Sequence, residues 1–275
     1  MVYRIVSDSS SNVFSLPGAD YKSVPLKIIT CAAEYIDDEN LDVEKMVNEV
    51  KETKGKSGTS CPNIGEWLSA FEGGDIIFAI TITSKLSGSY SSAEEAAKIY
   101  MEAHPEAKVF VVDSLSTGPE MLLLMEHIRD LMLLEKSFED IRDSVIEYQK
   151  HTNLLFSLES LINLARNGRV NPAVAKIAGV LGIRVFGAAK EGVLDPISKI
   201  RGEAKTIEAM FAEMKKRGFS GGKVRIDHCL NMNAAKTLAE KVLSEFPGCD
   251  LKIGENKGLC SFYAERGGII TAFEN

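Results

Sequence analysis

Gly73-Gly74-Asp75-Ile76-Ile77-Phe78-Ala79-Ile80-Thr81-Ile82-Thr83-Ser84-Lys85-Leu86-Ser87-Gly88-Ser89 decides the fold class. The unbroken apolar run Ile76–Ile80 sits between a diglycine stop and a hydroxyl-rich loop, the pattern of a strand buried on both faces. A helix follows, read as starting near Ser91 and running to about Ala103, capped by Ser91 with Glu94 or Ser92 with Glu95. Lys108–Val112 is the next strand, closed by Asp113-Ser114. Strand, crossover helix and strand make a βαβ unit, so the sheet is parallel.

Working upstream, Tyr3–Val6 and Val24–Thr30 read as strands. Leu41–Thr53 has helical spacing, with Val43, Met46, Val47 and Val50 on one face. Asn63 and Glu66 have the spacing of a capping box, opening a helix that carries Trp67, Leu68 and Phe71 and ends at Gly73-Gly74. Downstream the pattern changes. Ser157–Asn167 reads as a helix ending at Gly168, and Pro172 opens another reaching about Leu181. Ile183–Ala188 and Val193–Ser198 flank Lys190-Glu191-Gly192, a hairpin signal. Amphipathic helices follow at Glu203–Lys216 and Asn233–Phe246, with short strands near Lys223–Asp227, Leu251–Ile253 and Gly268–Ala272. The chain therefore divides into an N-terminal α/β domain with a parallel, Rossmann-like sheet, residues 1–155, and a C-terminal α/β domain with a mixed sheet, residues 156–275.

Composition narrows the function. Hydrophobic residues are 45% and charged residues 26% of the 275, a globular balance that excludes disorder. Apolar runs such as Met121–Met125 fall far short of the ~18 residues a membrane span needs. The N-terminus lacks a secretory apolar stretch, which points to the cytoplasm. A net charge of −7 argues against a nucleic-acid surface, and Lys215-Lys216-Arg217 reads as a solvated helix end. The five cysteines include no CxxC pair and suit free thiols in a reducing compartment. The four histidines are scattered without ligand spacing, so no metal is expected. Gly55-Lys56-Ser57 resembles the end of a phosphate-binding loop, but Val50 stands where its first glycine belongs. No nucleotide or other cofactor is implied.

The first-domain strands share hydroxyl-rich ends: Ser7-Asp8-Ser9-Ser10-Ser11, then Thr83 to Ser89, then Asp113-Ser114 with Ser116-Thr117. Open parallel sheets bind ligands beyond the carboxyl ends of their strands, where helix N-termini favour anions. The same residues are also common caps and turn formers, so both readings stand. Gly58-Thr59-Ser60-Cys61-Pro62-Asn63 forms a second candidate, a non-helical loop that either projects Thr59 and Ser60 just before a helix start or serves only to cap that helix. Ser87 lies outside a GxSxG elbow, and only a distant base such as His228 would serve it as a nucleophile. Cys61 as a nucleophile lacks any sign of an activated thiol. Arg169, just past a helix stop, complements a helix dipole or faces a ligand, and Arg201 reads as solvated. Met121-Leu122-Leu123-Leu124-Met125 reads as core or as the wall of an apolar cavity.

In order and spacing, these segments resemble the DegV family of fatty-acid-binding proteins over nearly the whole chain. The resemblance rests on Ser7-Asp8-Ser9-Ser10, Val24-Pro25-Leu26, Thr59-Ser60-Cys61-Pro62, Ser84-Lys85-Leu86-Ser87-Gly88-Ser89-Tyr90, Val112-Asp113-Ser114 and Gly168-Arg169-Val170. It implies a two-domain DegV-like fold holding a long-chain fatty acid in a buried tunnel. It implies that the carboxylate bonds to Thr59 and Ser87, with Ser60, Gly88 and Arg169 beside them and Arg201 near the head group or a partner surface. It further implies a carrier rather than an enzyme, presenting the acid to a dihydroxyacetone-kinase-like fatty acid kinase; the competing class is an acyl-processing hydrolase using Ser87. Two segments depart from the pattern. Cys61 stands where the family usually has glutamine, and Tyr263-Ala264-Glu265-Arg266-Gly267 stands where a His-x-Gly-x-Gly stretch is common.

Overall fold

The computed structural model describes residues 1–53, 55–171 and 182–275. The helix expected from Pro172 to Leu181 lies outside the described residues. The first unit is a parallel sheet in the order β2-β1-β6-β7, built from β1 (Tyr3–Asp8), β2 (Asp20–Val24), β6 (Ile76–Thr81) and β7 (Lys108–Asp113). Every residue of β6 is buried. Phe78 and Ile80 pack with α4 (Pro119–Leu133) and α5 (Phe138–Tyr148), while Ile77 and Ala79 pack with α2 (Ile64–Phe71) and α3 (Ser89–Ala103). Layers on both faces explain why this strand reads as an unbroken apolar run. Met121, Leu124 and Met125 belong to this core.

The second unit is a mixed sheet in the order β10-β9-β8-β13-β11-β12. Its strands are β8 (Thr152–Leu158), β9 (Ile183–Lys190), β10 (Val193–Arg201), β11 (Lys223–His228), β12 (Asp250–Glu255) and β13 (Ile269–Glu274). Only β11 and β12 run parallel. One face packs on α7 (Glu203–Lys216) and α8 (Met232–Glu245), through Leu155, Phe186, Met210 and Leu238. The expected hairpin is present between β9 and β10, with Glu191 and Gly192 at φ 50° and 85°. Positive φ at both loop residues is what a two-residue primed turn requires. Lys215 and Arg217, at the end of α7, pair with Glu245 and Glu213, so this basic cluster is a solvated helix end.

A small antiparallel sheet, β4-β3-β5, lies between, made of β3 (Lys27–Thr30), β4 (Glu34–Ile36) and β5 (Ser57–Ser60). α1 (Val43–Glu52), α6 (Ile162–Arg166) and α9 (Gly258–Ala264) complete the elements used below.

Several elements differ from the sequence reading. Val24–Thr30 is two strands in two sheets, because Pro25 has no N–H to donate and interrupts the ladder. Thr59 and Ser60 stand on β5, paired with Ile28 and Lys27, and not in a loop. Ser57 is likewise in a strand, unlike the helix-opening hydroxyl of a phosphate-binding loop. Helix α3 starts at Ser89, ahead of both expected serine caps; Gly88 is its N-cap and makes no side-chain cap bond. Ser89 is drawn down because its hydroxyl donates to the buried Asp8 carboxylate at 2.6 Å. Ser157 and Leu158 close β8, and only Ile162–Arg166 is helical. The leucines 158, 161 and 164 mimic a helical stripe, yet Leu154, Phe156 and Leu158 alternate on one strand face. Residues 155 and 156 thus stand mid-strand in β8. The Asn63–Glu66 capping box is present, with both reciprocal bonds made.

Candidate functional site

A cavity of about 320 Å³ lies between the two units. One wall is the face of the mixed sheet turned away from α7 and α8, where Leu154, Phe156 and Leu158 of β8, Leu194 of β10 and Ile270 of β13 stand. The facing wall carries Leu26, Ile82 and Leu86 from the first unit and Leu259 from α9. These surfaces are aliphatic or aromatic and would shed water readily around an apolar guest.

Polar groups gather in one region of that wall. Thr59 Oγ1 and Tyr263 Oη are 2.8 Å apart in a hydrogen bond. Cys61 lies against Gly88: a Cβ at Gly88 would stand 3.3 Å from Cys61 Sγ, so the β5 end and the start of α3 approach closely here. Ser87 precedes Gly88, and its Oγ accepts the N–H of Ser89 at 3.3 Å. Arg169 reaches the same loop, its Nε donating to Leu86 O at 3.1 Å and its terminal nitrogen to Asn167 O. The structure therefore brings together Thr59, Ser60, Ser87, Gly88 and Arg169 on one cavity. They come from a strand edge, a helix N-terminus and a turn after α6, which is why sequence distance hides the cluster.

Arg169 is the one charged side chain among the described residues lining the cavity. Burial raises the Tyr263 phenol above its ordinary value, while the bond from Thr59 and the charge of Arg169 pull it back. The phenol therefore stays protonated at neutral pH and can donate. Hydroxyls on Thr59, Ser87 and Tyr263, the Arg169 charge and the positive end of the fifteen-residue helix α3 make this region suited to an anion.

Tyr263 is the site residue that sequence reasoning passed over. Its neighbours Glu265 and Arg266 turn elsewhere, Glu265 to Ser160 and Asn163 and Arg266 to Glu44. The helical phase of α9 in Leu259-Cys260-Tyr263-Ala264 was the available signal, since these i, i+1, i+4, i+5 positions all line the cavity.

The hydroxyl-rich strand ends divide. Thr117 and the 83–88 loop contribute to the cavity. Ser9, Ser10 and Ser11 are fully buried within the protein. Ser9 Oγ accepts from Leu26 N at 2.9 Å, and Asp8 accepts from Ser10, Ser89 Oγ and Ile82 N. Burial pushes the Asp8 carboxyl upward against those donors. Met121–Met125 is core and does not line the cavity.

Ser87 and His228 are not brought together. His228 Nδ1 accepts from Asn231 N at 3.2 Å, and its ring faces a separate cleft with Glu255 and Asn256. Among the described residues no histidine lines the cavity. Cys61 is half-buried in the cavity wall, and Arg201 is exposed at the end of β10. Among the described residues there is no cluster of three metal-ligating side chains and no helix long and apolar enough to cross a membrane.

The chain is similar to known proteins over nearly its whole length. A family model described as "Uncharacterised protein, DegV family" matches residues 3–274. A DegV domain-containing protein of Streptococcus pneumoniae is 39% identical over 279 residues, covering 100% of this chain and 99% of its own length. The crystal structure of a DegV family protein from Eubacterium eligens loaded with heptadecanoic acid superposes with a TM-score of 0.98 at 42% identity, covering 100% of both chains. The Streptococcus pneumoniae Fatty Acid Kinase (Fak) B3 protein, loaded with linoleic acid, superposes with a TM-score of 0.97 at 38% identity over 100% of this chain and 99% of that one.

Proposed function

The chain belongs to the DegV family, and on that premise we propose that it carries one long-chain fatty acid in the cavity between its units. The supporting observation is an apolar cavity whose polar side chains, among the described residues, are hydroxyls, two thiols and one arginine. The acyl tail lies on the sheet wall, and the carboxylate is held by Thr59 and Ser87, with Ser60, Gly88, Arg169 and Tyr263 around it. In this division of labour β5, the start of α3, the turn after α6 and α9 supply the head-group donors, and the mixed sheet encloses the chain.

The energetics suit such a guest. Fifteen methylenes at ~0.8 kcal/mol each contribute on the order of 12 kcal/mol gross. Each hydrogen bond to the charged head adds about 1.5–3 kcal/mol. The tail thus sets affinity and the head group sets orientation. An isolated carboxylate is costly to bury, so several donors must converge on it.

In this reading the chain does no chemistry on its cargo. It presents the carboxyl group to a partner kinase of the dihydroxyacetone-kinase type, which phosphorylates it. A hydrolase reading needs a base beside Ser87, and the described cavity wall offers none. The free thiols of Cys61, Cys229, Cys249 and Cys260 suit a reducing compartment, and we place the work in the cytoplasm.

Native mass spectrometry of the purified protein, followed by solvent extraction, tests the proposal. A fatty acid bound one to one supports it. A protein that arrives empty and takes up no added acid overturns it.

A further inference from the structure

Resting on the fatty-acid reading, we propose that Phe156, lying over the bare backbone of Gly187, sets the depth of the cavity and hence the length of chain it accepts. The two residues stand directly opposite each other on β8 and β9. In the same row across the sheet are Pro196 of β10, beside Gly187, and Ile270 of β13, beside Phe156. Strand side chains normally stand roughly perpendicular to the sheet. Here a Cβ at position 187 would lie 2.3 Å from Phe156 Cζ and 2.9 Å from Cε1. The tip of the ring therefore rests where a neighbouring side chain would begin. An aromatic ring laid on a cross-strand glycine is a recurring way to cover exposed backbone.

Gly187 is thereby a space-making residue. It lets a large side chain lie down along the sheet, and the space above the ring is left to the cavity that Phe156 lines. With any side chain at 187, the ring must rise from the sheet into the volume where the tail is held. Leu154, Phe156, Leu158 and Ile270 share one buried cluster with Val185 and Ala264; Leu158 stands opposite Val185 and Leu154 opposite Ala272, whereas Phe156 stands opposite a glycine. Phe156 is 2% exposed, so its movement is felt inside the cavity and not at the surface.

The test is a competition. Wild-type, Phe156→Leu and Gly187→Ala proteins are offered an equimolar mixture of saturated acids of graded length, and the bound acids are extracted and weighed. Phe156→Leu should shift the bound set to longer acids, and Gly187→Ala to shorter ones. Each methylene gained or lost is worth about fourfold in relative occupancy. A Cβ at 187 would also lie 2.6 Å from Asp195 O; if that variant fails to fold, Phe156→Leu alone decides. A wild-type length distribution in Phe156→Leu overturns the proposal while leaving the carrier reading intact. Failure of wild type to take up any acid overturns both.

Discussion

Two loops leave adjacent parallel strands with nearly the same composition and meet opposite fates. After β1 comes Ser9-Ser10-Ser11-Asn12; after β6 comes Thr83 to Ser89. The first is sealed. Its three serines are fully buried, and Asn12 bonds across to Asp227, Asn256 and the N–H of Lys257. The second is partly open, with Ser87 and Gly88 on the cavity. Hydroxyls thus serve cohesion in one place and line a cavity in the other. What separates them is the covering layer. α9 and the end of β11 close over the first loop, whereas the second touches the β9–β10 hairpin at Thr83, whose Oγ1 donates to Gly192 O at 2.9 Å, and leaves Ser87 and Gly88 on the void.

The largest expected effect lies in the sealed loop. Asp8→Ala orphans the N–H of Ile82 and the hydroxyls of Ser10 and Ser89, all buried. At about 1–3 kcal/mol per orphaned group, the loss should reach about 3–5 kcal/mol. Urea unfolding measures it; a loss below about 1 kcal/mol would remove the structural role given to this loop.

The open loop should answer differently. The double variant Thr59→Ala, Ser87→Ala removes the two bonds proposed to a charged head group and should weaken fatty-acid retention at least about 100-fold. Its unfolding midpoint should stay well above that of Asp8→Ala, because both residues line the cavity and give up only the bonds to Tyr263 and to the N–H of Ser89. Ser89→Ala, only two residues from Ser87, should do the reverse. It loses about 1–2 kcal/mol of stability through Asp8 and leaves retention unchanged. Equal retention in both variants would erase the division drawn between the cavity-facing and the sealed hydroxyls.

The smallest effect concerns acidity. Burial pushes the Asp227 carboxyl up to about 6, against the Asn12 bond and the charge of Lys257 that pull it down. A raised carboxylate pKa means the folded state holds its proton where the unfolded state has released it. Stability therefore falls as pH rises from about 4 to 6 and levels off above. Wild type should gain about 2 kcal/mol on going from pH 7 to pH 4.5 relative to Asp227→Asn, which lacks this proton. Melting curves at the two pH values check it; parallel behaviour of the two proteins would place Asp227 in a more solvated setting. Ligand retention should not follow this titration, since Asp227 does not line the cavity.

Much of the scaffold was legible because local physics decided it. The buried run at Ile76–Ile80, the Asn63–Glu66 box and the Glu191-Gly192 turn depend on residues within a few positions of one another. Elements went astray where a distant partner outvoted the local pattern. Ser157 and Leu158 have helical neighbours in sequence but strand neighbours in space. Thr59 and Ser60 carry no strand signal; they pair because β3 passes beside them. The start of α3 was set by a carboxylate 81 positions earlier in the chain.

The candidate site shows the same division. The sequence alone determined which residue types were on offer: hydroxyls at strand ends, one arginine past a helix stop, and no paired acid, base or metal-ligand spacing. Those follow from composition and short-range spacing, which a linear chain displays openly. Only the tertiary structure decided which hydroxyls face a void and which are consumed inside the protein. It alone turned Tyr263 toward Thr59 across 204 positions, and laid Phe156 on Gly187. Cavities are what remains where packed layers fail to meet, and packing is settled by contacts between segments far apart in the chain.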